Sequence, residues 1–254
     1  MKISGYTFVR NATIFDICIE ECVRSLVPVC DEIVVCHAES TDDTQSRLAA
    51  LSIEWPRIKI VQVPWEYPVG EPRWFIEAIN KARGFLKYPM QLWLDADEVL
   101  DDSEECHKRV LDIAERKACA WFERLNFVRD AWTLIPDGHC VGRYVARMGP
   151  SHLFMPSDEP YHDGEPPIRE HAERHPELRI FHYGFLRDYQ AFYRKNRENN
   201  MLWFGKADRR FIEFEQQGRH DWWEVGDWCD KLQEYKGGYH PTFAHQWLRE
   251  RGAL

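Results

Sequence analysis

Gln91-Leu92-Trp93-Leu94-Asp95-Ala96-Asp97-Glu98 is a short, largely apolar run that ends in a cluster of carboxylates. Read as a strand feeding a loop, it puts its acids just beyond a strand's carboxyl end, where open α/β sheets gather their ligand sites. The same punctuation recurs upstream. Ile3-Ser4-Gly5-Tyr6-Thr7-Phe8-Val9 reads as a first strand, Ile33-Val34-Val35-Cys36 as a second and Ile58-Lys59-Ile60-Val61-Gln62-Val63 as a third. The second lacks strict alternation, as expected of a strand buried on both faces. Helical patterns lie between them. Residues 14 to 26 carry apolar side chains at three- and four-residue spacing before Pro28, Ser40-Thr41-Asp42-Asp43-Thr44 is rich in capping side chains, and Pro72 to Phe85 reads as a further helix. Strand and helix in alternation predict a mostly parallel central sheet flanked by helices. The segments after Val9, Cys36, Val63 and Leu94 then meet on one edge.

The second half is less regular. Strands are expected over residues 118–122, 125–128, 143–147 and 178–183, a loop rich in proline, acid and histidine over 156–177, and a charged helix from Tyr189 to Phe204. The tail to Leu254 is rich in aromatics. No internal repeat or low-complexity linker divides the chain, so the expected organisation is a main domain over 1–188 with a helical extension, 189–254, packed on it.

A chain of 254 residues with 44% hydrophobic and 30% charged residues suits a globular protein with a sizeable core. The net charge of −9 argues against a general nucleic-acid surface. Arg187, Arg194, Lys195 and Arg197 form a local basic run that fits either a diphosphate or a solvated helix face. The eight cysteines are scattered, and the helically spaced pair Cys18 and Cys22 lacks the partners of a zinc site. With no long apolar segment, the expected location is cytoplasmic and reducing.

Asp95-Ala96-Asp97 is the sharpest chemical signal. Two carboxylates two residues apart at a strand end can converge on a hard divalent cation that also takes oxygens from a diphosphate. A solvated acidic turn has the same short sequence, so context decides.

In context these segments resemble the GT-A-fold glycosyltransferases of family 2, in particular its bacterial and phage family 2-like members. The likeness runs in order through Ile3 to Ala12, Asp31-Glu32-Ile33-Val34-Val35, Glu39-Ser40-Thr41-Asp42-Asp43-Thr44, Leu92 to Glu98, and Phe181-His182-Tyr183-Gly184-Phe185-Leu186-Arg187-Asp188. It covers about the first 100 residues well and the rest in patches. The order of the motifs is more specific than any one of them. The resemblance implies a GT-A, Rossmann-like fold and transfer of a sugar, with inversion, from a nucleoside diphosphate to a saccharide, lipid-linked glycan or other hydroxyl acceptor.

By position, the resemblance sets Thr7, Val9 and Arg10 beside the nucleobase and ribose, with Glu39 or Asp42 as further contacts. Asp95 and Ala96 fall near the ribose and the metal, Asp97 becomes the direct metal ligand, and His182 completes the coordination with Asp95 and Asp97. Arg187 would face the diphosphate, and Trp65 and Arg73 would border the site. Mn2+ is the first expectation and Mg2+ the second, with a UDP-linked donor favoured, although His37-Ala38 stands where many members carry a base-contacting acid. The acceptor-side base is expected at Glu170, with Asp163 and Glu165 as alternatives. The competing readings are a nucleotide-sugar hydrolase and a noncatalytic carbohydrate-binding protein. No nucleic-acid partner is expected, peripheral membrane association stays open, and the oligomeric state is not set by the sequence.

Overall fold

The computed structural model describes residues 1–65, 74–136, 143–152, 172–206, 208–218 and 231–254. Its frame is a parallel set of strands in the order β3 (Ile58–Val63), β2 (Glu32–Ala38), β1 (Ile3–Val9) and β4 (Met90–Trp93). The sheet continues antiparallel through β8 (Tyr144–Pro150) and β6 (Cys119–Val128) to the short β7 (Thr133–Leu134) and β10 (Gln233–Glu234). β9 (Ala172–Phe185) runs parallel to β6 and pairs antiparallel with β5 (Glu98–Leu100), which leaves the acidic turn directly. The three longest ladders, β1–β2, β2–β3 and β6–β9, are all parallel.

Side-chain alternation sorts the parallel strands onto two cores. Ile33 and Val35 face a core shared with α1 (Ile19–Leu26), α2 (Thr44–Glu54) and α4 (Glu104–Arg116), through Cys22, Leu48, Val110 and their neighbours. Val34, Cys36 and Trp93 face the other way, toward Ala82 and Ile79 of α3 (Trp74–Arg83). Every residue of β2 is buried, which accounts for its unalternating sequence. A third core of Phe127, Phe181, Tyr183, Tyr235, Trp247 and Leu248 joins β6 and β9 to the C-terminal segment, including α7 (His245–Glu250). Among the described residues no helix is long and apolar enough to cross a membrane.

The two strands expected over 118–122 and 125–128 form the single strand β6, and two further expectations about element limits change. The helix expected from Ile14 begins only at Ile19, because residues 11–16 form turns in which Asn11 and Asp16 both adopt φ near 50°. Four consecutive amides there are held by side chains from the loop after β2 and the start of α2. Asn11 N–H donates to Ser40 Oγ at 2.9 Å, Ala12 N–H to Thr44 Oγ1 at 2.7 Å, and Thr13 and Ile14 N–H to Asp42 Oδ2 at 3.0 and 2.9 Å. The cap-rich segment thus latches the β1 loop to the β2 loop, and Asp43 at the N-cap of α2 makes no side-chain capping bond. The second change is in β9, which starts at Ala172 inside the stretch expected as loop. Its register against β6 jumps between the pairs Trp121↔Arg174 and Glu123↔Arg179, so the irregular segment containing Pro176 is accommodated as a bulge.

Gly5 lets α1 and the loop after it close on β1: a Cβ there would lie 2.8 Å from Cys30 Sγ. Gly5→Ala is expected to lower stability by about 1–3 kcal/mol through overpacking. Urea unfolding of the double mutant with Cys30→Ala should recover part of that loss; simple additivity of the two changes would contradict the contact.

Candidate active site at the acidic turn

The loop from Asp95 to Glu98 is a tight turn closed by Glu98 N–H donating to Asp95 O at 3.0 Å. Asp95 N–H in turn donates to Glu98 Oε2 at 2.9 Å. Two arginines from the mixed half of the sheet neutralise this side. Arg147 on β8 places Nη2 2.6 Å from Asp95 Oδ2 and 2.7 Å from Glu98 Oε1, while Arg124 on β6 lies 3.3 Å from Glu98. The Arg147 guanidinium also stacks on the Trp93 ring at 4.2 Å, which fixes its plane. Burial works to raise the pKa of Glu98, but Arg147 and Arg124 outweigh it and hold the carboxyl below its ordinary range. For Asp95 burial wins: Arg147 pulls the pKa down, the charges on Glu98 and Asp97 push it up, and the net direction is upward.

Asp97 points to the opposite side, toward β9 and the helix α5 (Tyr189–Phe204). Its Oδ2 accepts from Arg187 Nη2 at 2.5 Å and from Lys195 Nζ at 2.8 Å. His182 Nε2 stands 3.6 Å from Asp97 Oδ1. Burial would raise this carboxyl's pKa, but Lys195, His182 and Arg187 together hold it well below the ordinary value of 3.8. The His182 tautomer is set by its neighbour. Asn126 uses its amide nitrogen on Arg124 O, so its Oδ1 accepts the His182 Nδ1 proton at 2.9 Å. In the neutral ring Nε2, which faces Asp97, is then the nitrogen without hydrogen, the arrangement a histidine ligand needs, with the second nitrogen fixed by a polar partner.

Gly184 keeps this corner open. A Cβ there would lie 2.9 Å from Asp97 Oδ2 and closer still to His182 Nε2. Nitrogen and carboxylate oxygen across a small open space suit a divalent cation with bonds of about 2.1 Å. Among the described residues no group of three His, Cys, Asp or Glu side chains converges as a metal cluster. Asp95 is the most accessible acid of the turn, with 27% of its side chain exposed.

The remaining residues singled out from the sequence fall into three groups. At the edge of the sheet, Arg10 stacks on Trp65 at 4.6 Å, donates from Nε to Glu39 O at 3.1 Å and pairs with Glu198 of α5, while the Glu39 side chain is exposed. Thr7, Val9 and Ala96 are buried, the last two in the core under α1, and Asp42 spends both oxygens on the loop latch and Thr44. Arg187 has no exposed surface; beside Asp97, it donates to Gly184 O and Phe15 O, each at 2.7 Å. Its guanidinium therefore ties the β1 loop, the acidic turn and the end of β9 together. Arg73, Asp163, Glu165 and Glu170 lie outside the described residues.

Sequence reading missed four groups that shape this site: Glu98 as an ion-pair partner, the arginines 124 and 147, Asn126 and Gly184. Glu98 adjoins the motif and Gly184 sits two residues from His182, so proximity was the available signal. Arg147 and Asn126 occur in strand-like runs and Arg124 between two such runs, with nothing local to mark them.

No family model matches the chain, and no curated protein matches it. Solved structures with similar folds include mannosyltransferase PcManGT from Pyrobaculum calidifontis in complex with GDP-Man and Mn2+ (17% identity, 85% of this chain and 68% of that one, TM-score 0.47). Another is S. aureus TarS, residues 1–349 (17% identity, 76% and 56%, TM-score 0.41). A third is glucosyl-3-phosphoglycerate synthase from Mycobacterium tuberculosis with Mn2+, UDP and glucosyl-3-phosphoglycerate (22% identity, 39% and 34%, TM-score 0.29). The aligned part of this chain spans from 22% to 56% of the length of the TarS structures.

Breaking one partner of a buried ion pair strands the other, so Arg187→Met is expected to cost about 3–5 kcal/mol in denaturant unfolding. The acid limb gives a second check. Because the folded-state pKa of Asp97 is depressed, its stabilisation is complete above the ordinary value of 3.8 and is withdrawn as pH falls through the lower folded value. Asp97→Asn should flatten the fall of stability with pH in that acid range; a slope identical to wild type there would contradict the ion-pair cluster.

Proposed function

We propose that the protein is a glycosyltransferase of the GT-A type, resembling family 2, that moves a sugar from a nucleoside diphosphate to a hydroxyl acceptor with inversion. The observation that carries this is the meeting of Asp97 and His182 around the space left by Gly184, beyond the carboxyl end of β4. Residues remote in sequence supply a nitrogen lone pair and a charged oxygen to one small site, in a fold whose ligand edge lies there. The ordered series of motifs from Ile3 to Asp188 supports the same reading.

In this reading Asp97 and His182 hold a divalent cation, Mn2+ before Mg2+, with Asp95 and the backbone of Ala96 facing the donor's ribose. When bound, such an ion neutralises charge on the departing diphosphate. The chain's own residues do the rest. Asn126 holds His182 in the tautomer that offers Nε2, Arg187 keeps Asp97 ionised and oriented, and Arg147 keeps Asp95 pointed outward from the turn. Arg10 on its Trp65 platform, with Glu39 beside it, borders the nucleoside, and UDP is the favoured carrier. Glu170, with Asp163 and Glu165 as alternatives, is assigned as the base that takes the acceptor's proton. Residues 189–254 act as an extension of the main domain, and a saccharide or lipid-linked glycan is the proposed acceptor.

Calorimetric titration with a panel of nucleoside diphosphates, with and without Mn2+, tests the proposal. One nucleotide should bind in a Mn2+-dependent way, and both Asp97→Ala and Gly184→Ala should abolish that binding while the protein stays folded. A folded wild type that binds none of the panel in either condition would remove the donor-site reading.

A further inference from the structure

Helix α5 bridges two separate parts of the candidate site. Lys195 and Glu198, three residues apart and so neighbours on one helical face, reach Asp97 of the acidic turn and Arg10 of the β1 loop respectively. The two cations on Asp97 differ in kind. Arg187 is wholly enclosed and has further fixed bonds to Gly184 O and Phe15 O, whereas Lys195 keeps 28% of its side chain exposed and its ammonium sits on a flexible stem. Asp97 carries one negative charge against the positive charges of Arg187 and Lys195, so the cluster holds a surplus cation even before a metal arrives. A divalent cation seated at Asp97 and His182 repels both neighbours, and Lys195 is the one with freedom to leave.

We propose that Lys195 is a mobile diphosphate ligand, stored on Asp97 by α5 and handed to the diphosphate when a divalent cation seated beside it at Asp97 repels it. This rests on the donor-site reading above and extends it to a residue outside the acidic turn. Lys195 and the cation compete for Asp97 when no diphosphate is present and cooperate when one is. A diphosphate draws the released ammonium as a point-charge ligand, so a side chain of α5 that pairs with Asp97 becomes part of the diphosphate site. The pair between Glu198 and Arg10 keeps α5 over the site while Lys195 turns.

The test is a pair of equilibrium titrations on the full chain, wild type against Lys195→Met, first with MnCl2 alone and then with UDP or GDP at saturating MnCl2. The expected result is opposite in sign for the two ligands. Lys195→Met should bind Mn2+ alone about tenfold more tightly and the diphosphate at least about tenfold more weakly, the scale of one charge-assisted hydrogen bond. A parallel fall in both affinities would mark Lys195 as structural, and an unchanged diphosphate affinity would equally overturn the proposal. Should the variant fail to fold, lysine-reactive labelling of the wild type read by mass spectrometry supplies the answer. MnCl2 should raise modification of Lys195 and UDP added on top should lower it; labelling indifferent to MnCl2 would sink the idea. A wild type that binds Mn2+ but neither diphosphate would overturn the donor-site reading itself, an outcome distinct from a failure confined to Lys195.

Discussion

A carboxylate kept almost out of water must be compensated by cations brought to it, and Asp97 is that carboxylate. It is 7% exposed, yet it stays ionised because His182 on β9, Arg187 just after that strand and Lys195 on α5 converge on it. The demand for those partners fixes the return of the chain. Arg187 cannot reach Asp97 without bringing Gly184 and the end of β9 against the acidic turn, and its third bond, to Phe15 O, fastens the β1 loop to the same point. Asp188 then donates its N–H to Asp16, which also receives Arg251 from the far end of the chain. A line of charge thus runs from the acidic turn to the C-terminal segment, while the apolar core of Phe127, Phe181, Tyr183 and Trp247 supplies the bulk of the adhesion beside it.

The parallel half was legible because β1, β2 and β4 are largely buried on both faces, β3 sets apolar residues beside exposed Lys59 and Gln62, and the helices are amphipathic. Contiguous apolar runs and 3.6-residue spacing report those situations directly, and β1 and β3 fall at the limits read from sequence. The start of α1 was not legible from local pattern. Ile14 and Phe15 are spaced helically against Cys18 and Ile19, but Asp16 adopts φ near 50° in a turn that Ser40, Asp42 and Thr44 hold through the amides of residues 11–14, and partners about thirty residues away leave no trace in a local window. The start of β9 was hidden for a related reason. Charged residues and Pro176 read as loop, and only the parallel partner β6 with its register jump turns them into strand.

The site shows the same division between local and distant information. Asp95, Asp97 and His182 stand out because each follows or ends an apolar run. Lys195 was visible only as one of several basic residues on a helix, and its meaning depends on where α5 lies over the turn. Asn126 and Gly184 carry no charge to attract notice, although one sets the His182 tautomer and the other leaves room beside it. Arg147 lies in a run expected as an ordinary strand, and Arg124 falls between two expected strands. Their role is set by antiparallel neighbours joined through long connections, which composition and spacing do not encode.

The turn therefore distributes its three acids between two sets of cations, and that division determines which oxygens face outward. Glu98 is enclosed by Arg124 and Arg147 and reaches back to Asp95 N–H, so it shapes the turn without meeting solvent. Asp95 shares Arg147 but keeps an exposed edge. Asp97 gives Oδ2 to Arg187 and Lys195 and presents Oδ1 toward His182 Nε2. Two buried arginines thus hold the acids at fixed angles, since a guanidinium with several bonds has little freedom to move. Asp-x-Asp alone does not secure that geometry. The same tripeptide on a loop without Arg147 and Arg187 would rotate freely and would be no more than a solvated acidic turn, which is why the buried arginines matter as much to the chemistry as the acids they hold.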